Sequence, residues 1–525
     1  MSSPLLTLFT RSLREDALSK ATYWARAGLG GFILLVLLAI SAAGVWTGAP
    51  GRSFFITIIT LQMVAITFVG LSYFASAVTE EKEEQTLGLL RMTDLNPLSI
   101  LLGKSTSRLG GALLLLAAQF PFTVFAVTLG GISLGQIFAA YCTLAAYTFL
   151  LCNVALLGSV LARRTPGAAS FSVLLIGLLL SAGPLLGVLH RELLKYGAPA
   201  GLDQFAGMLW KTTPIARLIE VLGTGFAGSP AGWQVASNLA LGAGSFLLAW
   251  VLFERCCDRT TDEAVATGPV PRPAVGGRLG RPPRPRKDAL IWKDFHFLCG
   301  GRMGLIVRSL GYGGALAGAI GEVIFHGSSG GGGMTAMFHF LVPFVFSIDV
   351  AAMAARLFRS EIDGQTLSAL AVLPGTMRQI VRRKAGAFLL AAAPGAICTV
   401  AGGLLQLIFF TGSSGTREIG LMMFMHMVSG WVGVILLVHV VAWLSLSMKR
   451  GALPIGYVTT YALRTLISLL AMLPMAGLNF SFGRSAASFN FALLSPLLSC
   501  AVSIVVTFIL HQMTLRRLEA LAGEG

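Results

Sequence analysis

Charged residues are scarce in this chain. Asp, Glu, Lys and Arg make up only 12% of its 525 residues, about half the share that is usual in soluble domains. Hydrophobic residues make up 55%, and the mean hydropathy is +0.77. The apolar stretches recur at lengths of about 20 residues, which a helix needs to cross a bilayer. This composition argues against a soluble domain and predicts an all-α polytopic membrane protein in contact with the lipid bilayer.

Cysteine is also rare, and neither it nor histidine forms a recognisable site. The seven cysteines show no disulfide framework, and the adjacent Cys256-Cys257 pair fits neither a zinc site nor a redox motif. His339, His426 and His439 lack the spacing of metal ligands. We therefore expect no metal site and no cofactor bound by this chain.

The apolar stretches predict about twelve transmembrane helices in two sets of six. The predicted spans lie near 28–48, 53–78, 109–130, 134–162, 168–190, 232–253, 304–325, 336–358, 386–411, 420–447, 454–476 and 490–512. An amphipathic stretch typical of an interfacial helix precedes each set, and in the second stretch Lys293 and Asp294 lie on the polar face. Six spans return the chain to its starting side, so the two sets form parallel repeats. The predicted domains are 1–253, a Pro/Arg-rich cytoplasmic linker at 254–287, and 288–525.

The distribution of basic residues predicts the orientation. Of the 39 Lys and Arg residues, seven fall on the side opposite the N-terminus and two (Arg308 and Arg464) within spans, which leaves 30 on the N-terminal side. This is the positive-inside pattern. We therefore expect cytoplasmic N- and C-termini. The lack of a disulfide framework and the apolar content favour a bacterial inner membrane. The net charge of +16 is a topology signal and does not indicate nucleic-acid binding.

One polar signature occurs twice at a constant shift. A shift of 280 residues places Glu81 on Glu361, Gln85-Thr86-Leu87 on Gln365-Thr366-Leu367, and Lys104 on Lys384. The abundance of apolar residues in both halves does not explain why the acid, the Gln-Thr-Leu sequence and the lysine recur at the same spacing. We interpret the match as an internal duplication centred on an acidic loop between the second and third spans. An exposed loop with carboxylates and an apolar ridge (Leu87 and Leu90, Leu367 and Leu370) is typical of a docking surface for another protein.

The first half resembles the permeases of ABC-2 type transporters. The resemblance is carried by the acid-rich run into Gln-Thr-Leu, by Leu87 to Leu90, Asn96-Pro97 and Gly103-Lys104, and by Pro121 with Gly130-Gly131. It implies an interfacial helix and six spans per unit. It also implies that the polar loop after the second span contacts a cytoplasmic ABC ATPase subunit. The second half matches less closely, since Gly364 replaces Glu84 and Pro374 is displaced relative to Pro97.

The resemblance assigns an ATPase-coupling role to both loops, residues 80–91 and 360–371. The candidate coupling residues are Glu80, Glu81, Glu83, Glu84, Gln85, Thr86, Leu87 and Lys104, and Glu361, Asp363, Gln365, Thr366, Leu367 and Lys384. The chain itself is not expected to be an enzyme. Gly103-Lys104-Ser105 imitates the end of a phosphate loop, but Leu98 replaces the required first glycine. ATP is expected to act through the partner subunit. A fused pair of units could suffice, or the chain could form a homodimer.

Two charges lie deep in predicted spans. Asp349 and Arg464 are costly there unless they are paired or face water. They could form one ion pair between helices, or they could line a substrate path. Both alternatives stay open at this stage.

Two other function classes compete with an exporting ABC permease. Twelve spans in two parallel halves also describe a secondary, ion-coupled transporter, although that class usually has a basic loop after the second span where this chain has an acidic one. A membrane scaffold without transport is the third interpretation.

Overall fold

The computed structural model is helical throughout most of the chain that it describes. The described residues are 30–37, 50–83, 86, 96–162, 165–193, 201–266, 288–297, 300–330, 332–372, 375–413, 417–448, 451–478 and 484–523. These residues contain no β-strand, so the all-α prediction is confirmed for them. The chain divides into two compact units, Met1–Val275 and Gly276–Gly525. This division falls inside segment 254–287.

The first unit contains a helical segment at 30–37 and a series of longer helices. These are α1 (Pro50–Glu83), α2 (Pro97–Thr128), α3 (Leu134–Leu161), α4 (Thr165–Leu193), α5 (Gly201–Thr212), α6 (Pro214–Leu222) and α7 (Trp233–Ala266). Residues Ile66–Gly70 form a π-helical segment within α1. Helix α7 continues to Ala266 and so enters the segment predicted as a linker.

Local sequence explains where α2 and α3 begin. Pro97 occupies the first turn of α2, where its missing N–H leaves no bond unmade. Ser133 and Gln136 form a capping box at the start of α3. In it, the Gln136 N–H donates to Ser133 Oγ at 3.3 Å and the Ser133 N–H donates to Gln136 Oε1 at 2.9 Å. Gly130 and Gly131 have φ of +83° and +85°, a backbone conformation that glycine adopts without strain.

Helix α3 is the centre of the first unit. Its most apolar 18-residue stretch is 83% buried, against 17–39% for the other candidate spans of the unit. A helix that is apolar on all sides buries all of them. Helix α3 accordingly packs against α1, α2, α4 and α7.

The second unit is built from another series of helices. These are α8 (Ala289–Phe297), α9 (Gly301–Gly330), α10 (Gly332–Leu357), α11 (Arg359–Asp363), α12 (Leu367–Ala371), α13 (Met377–Ser413), α14 (Arg417–Ser447), α15 (Ala452–Leu478) and α16 (Arg484–Gly523). Helix α14 packs against α10, α13, α15 and α16. Helices α3 and α14 each correspond to the fourth predicted span of their unit. Each contacts the helices of the second, third, fifth and sixth predicted spans of that unit.

The described helices are those of a membrane-embedded protein. Eight stretches are long and apolar enough to cross a membrane: Pro50–Glu83, Pro97–Thr128, Leu134–Leu161, Trp233–Cys256, Met377–Leu405, Phe424–Ser447, Ala452–Leu470 and Pro496–Gly523. Within the described residues, the predicted spans 28–48, 168–190, 304–325 and 336–358 do not meet that criterion. The total of twelve stays a prediction.

Two helix boundaries differ from the sequence prediction in a way that matters for the site. Helix α2 begins at Pro97 and not near 109, and α13 begins at Met377 and not near 386. Hydropathy detects only the apolar part of a helix, whereas backbone hydrogen bonding continues into its polar end. Lys104 and Lys384 therefore lie inside helices and do not close loops.

Candidate functional site

In the first unit, the carboxylate of Glu81 connects the end of α1 to the start of α2. Lys104 Nζ lies 2.5 Å from Glu81 Oε1. The Thr86 hydroxyl donates to Glu81 Oε2, and the Thr86 N–H donates to the Glu81 carbonyl oxygen at 3.0 Å. The side chains of Glu81 and Lys104 are 20% and 36% exposed. We name Glu81, Thr86 and Lys104 the first cluster.

The second unit repeats these contacts at the equivalent positions. Lys384 Nζ lies 2.8 Å from Glu361 Oε1, and the Thr366 hydroxyl donates to Glu361 Oε2. The Thr366 N–H donates to the Glu361 carbonyl oxygen at 2.9 Å. Here the acid and the lysine are buried, at 2% and 1% exposure. We name Glu361, Thr366 and Lys384 the second cluster.

A helix C-terminal motif explains the spacing of the repeated Glu, Gln and Thr in the second unit. The Thr366 N–H reaches back to the Glu361 carbonyl, and the Gln365 N–H donates to the Ile362 carbonyl at 3.1 Å. These two bonds, with Gln365 in the left-handed region at φ +52°, form a Schellman motif. The motif returns Thr366 to the Glu361 carboxylate. The Gln-Thr pair therefore ends the helix and positions the acid.

The second cluster contacts two further residues that the sequence did not single out. Lys293 Nζ lies 2.9 Å from Glu361 Oε1, and Lys384 Nζ lies 2.9 Å from Asp294 Oδ2. Both residues lie on α8, so the cluster ties this short helix to α11 and α13. The sequence placed Lys293 and Asp294 on the polar face of an amphipathic stretch. It gave no sign that this face meets residues 68 to 90 positions further along.

Lys384 is fully satisfied despite its burial. Its ammonium donates to Glu361, to Asp294 and, at 3.3 Å, to the Leu357 carbonyl at the end of α10. An ammonium has three N–H groups, so each has an acceptor. The side-chain nitrogen of Lys384 thus connects α13 to α8, α10 and α11.

Burial and hydrogen bonding together shift the pKa values of the two buried acids in opposite directions. Burial raises the pKa of the Glu361 carboxyl, but hydrogen bonds from Lys293, Lys384 and Thr366 outweigh burial and lower the pKa to about 2. At Asp294 burial prevails over the attraction of Lys384 and raises the pKa. Asp294 Oδ1 also has no hydrogen-bond partner among the described residues. Glu361 is therefore the anionic centre of the cluster.

The acidic residues near the first cluster also have internal partners. Arg108 Nη2 lies 2.9 Å from Glu80 Oε2. Lys82 Nζ donates to carbonyl groups at the end of α3, including that of Val160 at 2.6 Å. Glu83 Oε1 accepts the Thr165 N–H at 2.7 Å, at the start of α4. A cation at a helix C-terminus and an anion at a helix N-terminus both interact favourably with the helix dipole.

The structure corrects part of the expected docking surface. Glu361 and Lys384 are buried, and Leu367 and Leu370 are only 9% and 7% exposed. The apolar ridge of the second loop is therefore inside the unit. Leu367 packs with Leu518 near the end of α16 and with other buried residues.

Several residues of the second loop, and Val372 directly after it, are exposed. We name Asp363, Gln365, Thr366 and Val372 the exposed strip. The Asp363 side chain is 58% exposed, although it pairs with Arg359 at 2.6 Å. Val372 is 85% exposed, the highest value for a large hydrophobic side chain among the described residues. In the first loop, Glu84, Gln85, Leu87 and Leu90 lie outside the described residues.

The two charges predicted within spans do not pair with each other. Asp349 forms a bidentate pair with Arg308 on α9, with Nε–Oδ2 and Nη2–Oδ1 distances of 2.8 and 3.0 Å. Arg464 Nη2 instead donates to the Ser429 carbonyl at 2.9 Å and to Ser429 Oγ at 2.8 Å. The sequence had counted Arg308 within a span without assigning it a partner.

Comparison of the sequence with models of known protein families finds no match, and comparison with curated proteins finds no significant match either. In the described part of the chain, no group of three or more His, Cys, Asp or Glu side chains is arranged to hold a metal ion.

Proposed function

We propose that this chain is the membrane permease of an ATP-binding cassette transporter. In this proposal the chain catalyses no reaction itself and is driven by a separate cytoplasmic ATPase. In this proposal it is an exporter of the bacterial inner membrane, with both termini cytoplasmic. Its twelve spans form two parallel repeats of six. ATP binds the partner subunit, and two fused units provide the membrane part, alone or as a homodimer.

The matching Glu–Thr–Lys contacts in the two units carry this proposal. In the first unit the acid lies in the last turn of α1, and in the second unit it lies in α11, the short helix directly after α10. In both units the lysine lies near the start of the next long helix. The two central helices, α3 and α14, also have corresponding neighbours. Both observations support a duplication that kept one joint at the same place.

The contacts of the second cluster suit a joint that transmits movement. Glu361 and Lys384 connect α8, α10, α11 and α13 through buried charge-assisted hydrogen bonds, which are short and strong. Thr366 of the exposed strip itself bonds Glu361 in this joint. A partner that binds Asp363 and Val372 and then moves would displace several helices together. In the proposal, nucleotide binding by the ATPase provides that movement.

An ion-coupled secondary transporter is the second candidate, and one observation favours it. The Arg308–Asp349 pair joins α9 and α10, and both residues fall in spans predicted from the sequence. Ionisable groups within spans often mark ion or proton pathways. Proton-linked flux in vesicles without any ATPase, lost in Asp349→Asn, would favour this candidate.

Co-purification tests the ABC proposal directly. The tagged chain is expressed with each stand-alone ABC ATPase subunit of its source genome, and capture in mild detergent is measured with ATP hydrolysis. We expect one subunit to be captured. The double variant Asp363→Lys, Val372→Glu should reduce capture about tenfold or more, since it reverses a charge and removes an apolar anchor in the exposed strip.

Glu254→Lys is the matched control, because it reverses an exposed carboxylate on α7, in the other unit and outside the exposed strip. It should leave capture unchanged. Absence of any captured ATPase, or equal capture by the strip variant and the wild type, would contradict the proposal.

A further inference from the structure

A line of polar residues lies on one face of α15. Thr460, Arg464 and Ser468 follow at intervals of four residues, which places them on the same side of the helix. Arg464 is twelve residues from Ala452 and fourteen from Leu478, so about 18 Å and about 21 Å from the two ends. Its segment Ala452–Leu470, which includes Arg464, is one of the candidate spans. The arginine therefore lies near the middle of an apolar helix.

The Arg464 guanidinium has only part of its hydrogen bonding satisfied. Nη2 donates to the carbonyl and hydroxyl oxygens of Ser429 on α14. Among the described residues, the guanidinium has no carboxylate within ion-pair distance. A guanidinium has five N–H donors in a planar fork. Donors remain for a further acceptor, and the side chain is only partly buried.

A glycine makes room for this guanidinium. A Cβ added at Gly433 would lie 1.9 Å from Arg464 Nη1 and 2.6 Å from Cζ. The planar group therefore lies against the backbone of α14. This contact fixes the position of the fork between α14 and α15.

The neighbouring hydroxyl groups extend the polar surface. Thr460 is 6% exposed, and its Oγ1 has no hydrogen-bond partner among the described residues. One turn beyond Arg464, Ser468 Oγ lies 3.4 Å from Ser499 Oγ on α16. Buried polar groups without partners cost free energy in an apolar surrounding, and an uncompensated cation costs more. An anion that binds here would offset both costs.

We propose that Arg464 and Ser429, with the hydroxyl of Thr460, bind the phosphate group of a ligand. Guanidinium groups recognise phosphate through paired, charge-assisted hydrogen bonds. The anion belongs either to a soluble molecule or to the head group of an amphiphile. That the ligand is the transported substrate rests on the proposed function. That the site binds the ligand does not.

Thermal unfolding of the purified chain in dodecyl maltoside tests the site. Three additions are compared: dodecyl phosphate, inorganic phosphate, and further dodecyl maltoside as the uncharged chain. A ligand that binds the folded state raises the Tm in a concentration-dependent way. A rise with dodecyl phosphate alone identifies an amphiphile, whereas a rise with both phosphates identifies a soluble phosphate. No rise with either phosphate would overturn the proposal.

Arg464→Gln should weaken the apparent affinity about tenfold or more, the usual effect of losing a charged hydrogen-bond partner. Arg516→Gln is the control, because it removes an exposed arginine on α16 and tests non-specific attraction to a basic protein. It should keep the wild-type response. An unchanged response in Arg464→Gln would overturn the proposal.

Gly433→Ala provides a second variant if Arg464→Gln does not fold. It keeps the charge but displaces the guanidinium, so it should also weaken binding. The assay contains no ATPase. If the ligand binds and binding depends on Arg464, the site is supported even when no ATPase is captured. If an ATPase is captured but no ligand binds, only the proposal of the phosphate site is overturned.

Discussion

At the scale of single residues, Lys104 and Lys384 make the same contact in different surroundings. Each ammonium bonds a glutamate 23 residues earlier in the chain, just after the second predicted span of its unit. Lys104 is 36% exposed, so water screens its ion pair, and such pairs contribute about 0–1 kcal/mol. Lys384 is 1% exposed and balances two buried carboxylates. Removal of one partner from a buried pair costs about 3–5 kcal/mol, because a charge is left uncompensated.

We therefore predict that Lys384→Met destabilises the protein far more than Lys104→Met. The expected cost is about 3–5 kcal/mol for the first and about 1 kcal/mol or less for the second. Thermal unfolding of the two variants in the same detergent measures the difference. Equal losses of Tm would show that burial does not set the strength of these contacts.

Adding Asp294→Asn to Lys384→Met provides an internal check. The second substitution removes one of the two carboxylates that Lys384 balanced. The double variant should recover part of the lost Tm, because one buried negative charge is gone. A further decrease would mean that the Asp294 charge stabilises the cluster without Lys384.

At the scale of elements, the ends of helices hold the polar contacts of both units. Lys82 and Glu83 are neighbours at the end of α1, and they serve opposite needs. Lys82 bonds the free carbonyl groups that end α3, while Glu83 bonds an N–H group that begins α4. The first turn and the last turn of a helix leave such groups without intrahelical partners. The charges therefore fix α1 against the turn between α3 and α4.

The end of α11 gives a prediction at the same scale. Gln365 has φ +52°, a left-handed conformation that costs a residue with a side chain more than it costs glycine. Gln365→Gly should stabilise the protein by about 0.5–1 kcal/mol, because the Schellman motif is kept and the strain is removed. The Tm of the variant measures this gain.

Gln365→Ala is the matched control, since alanine also removes the amide but keeps the Cβ. It should not share the gain. If both variants gained equally, the amide and not the backbone conformation would be the cause.

At the scale of the whole molecule, each unit is organised around its fourth predicted span. Helices α3 and α14 contact corresponding neighbours, and each unit has its own buried clusters of apolar residues. The proposed topology places the second loop in the cytoplasm and the turn after α6 outside. Gln365 and Ala227 are exposed residues in these two places.

Cysteine labelling checks this topology. In a variant without the seven native cysteines, Gln365→Cys should react with a membrane-impermeant maleimide only in inverted vesicles. Ala227→Cys should react only in intact cells. Ala249→Cys, at a buried position in α7, should react in neither. Reaction of Gln365→Cys in intact cells would contradict the predicted orientation.

The sequence by itself determined the helical class, the approximate positions of apolar helices and the correspondence of Glu81, Thr86 and Lys104 with Glu361, Thr366 and Lys384. Helix formation is local and depends on composition and period, so it can be read without knowing the packing. Only the tertiary structure decided that Glu361 and Lys384 are buried, that Lys293 and Asp294 join them, and that Asp349 pairs with Arg308. Those contacts connect residues far apart in the chain, and helix packing brings them together.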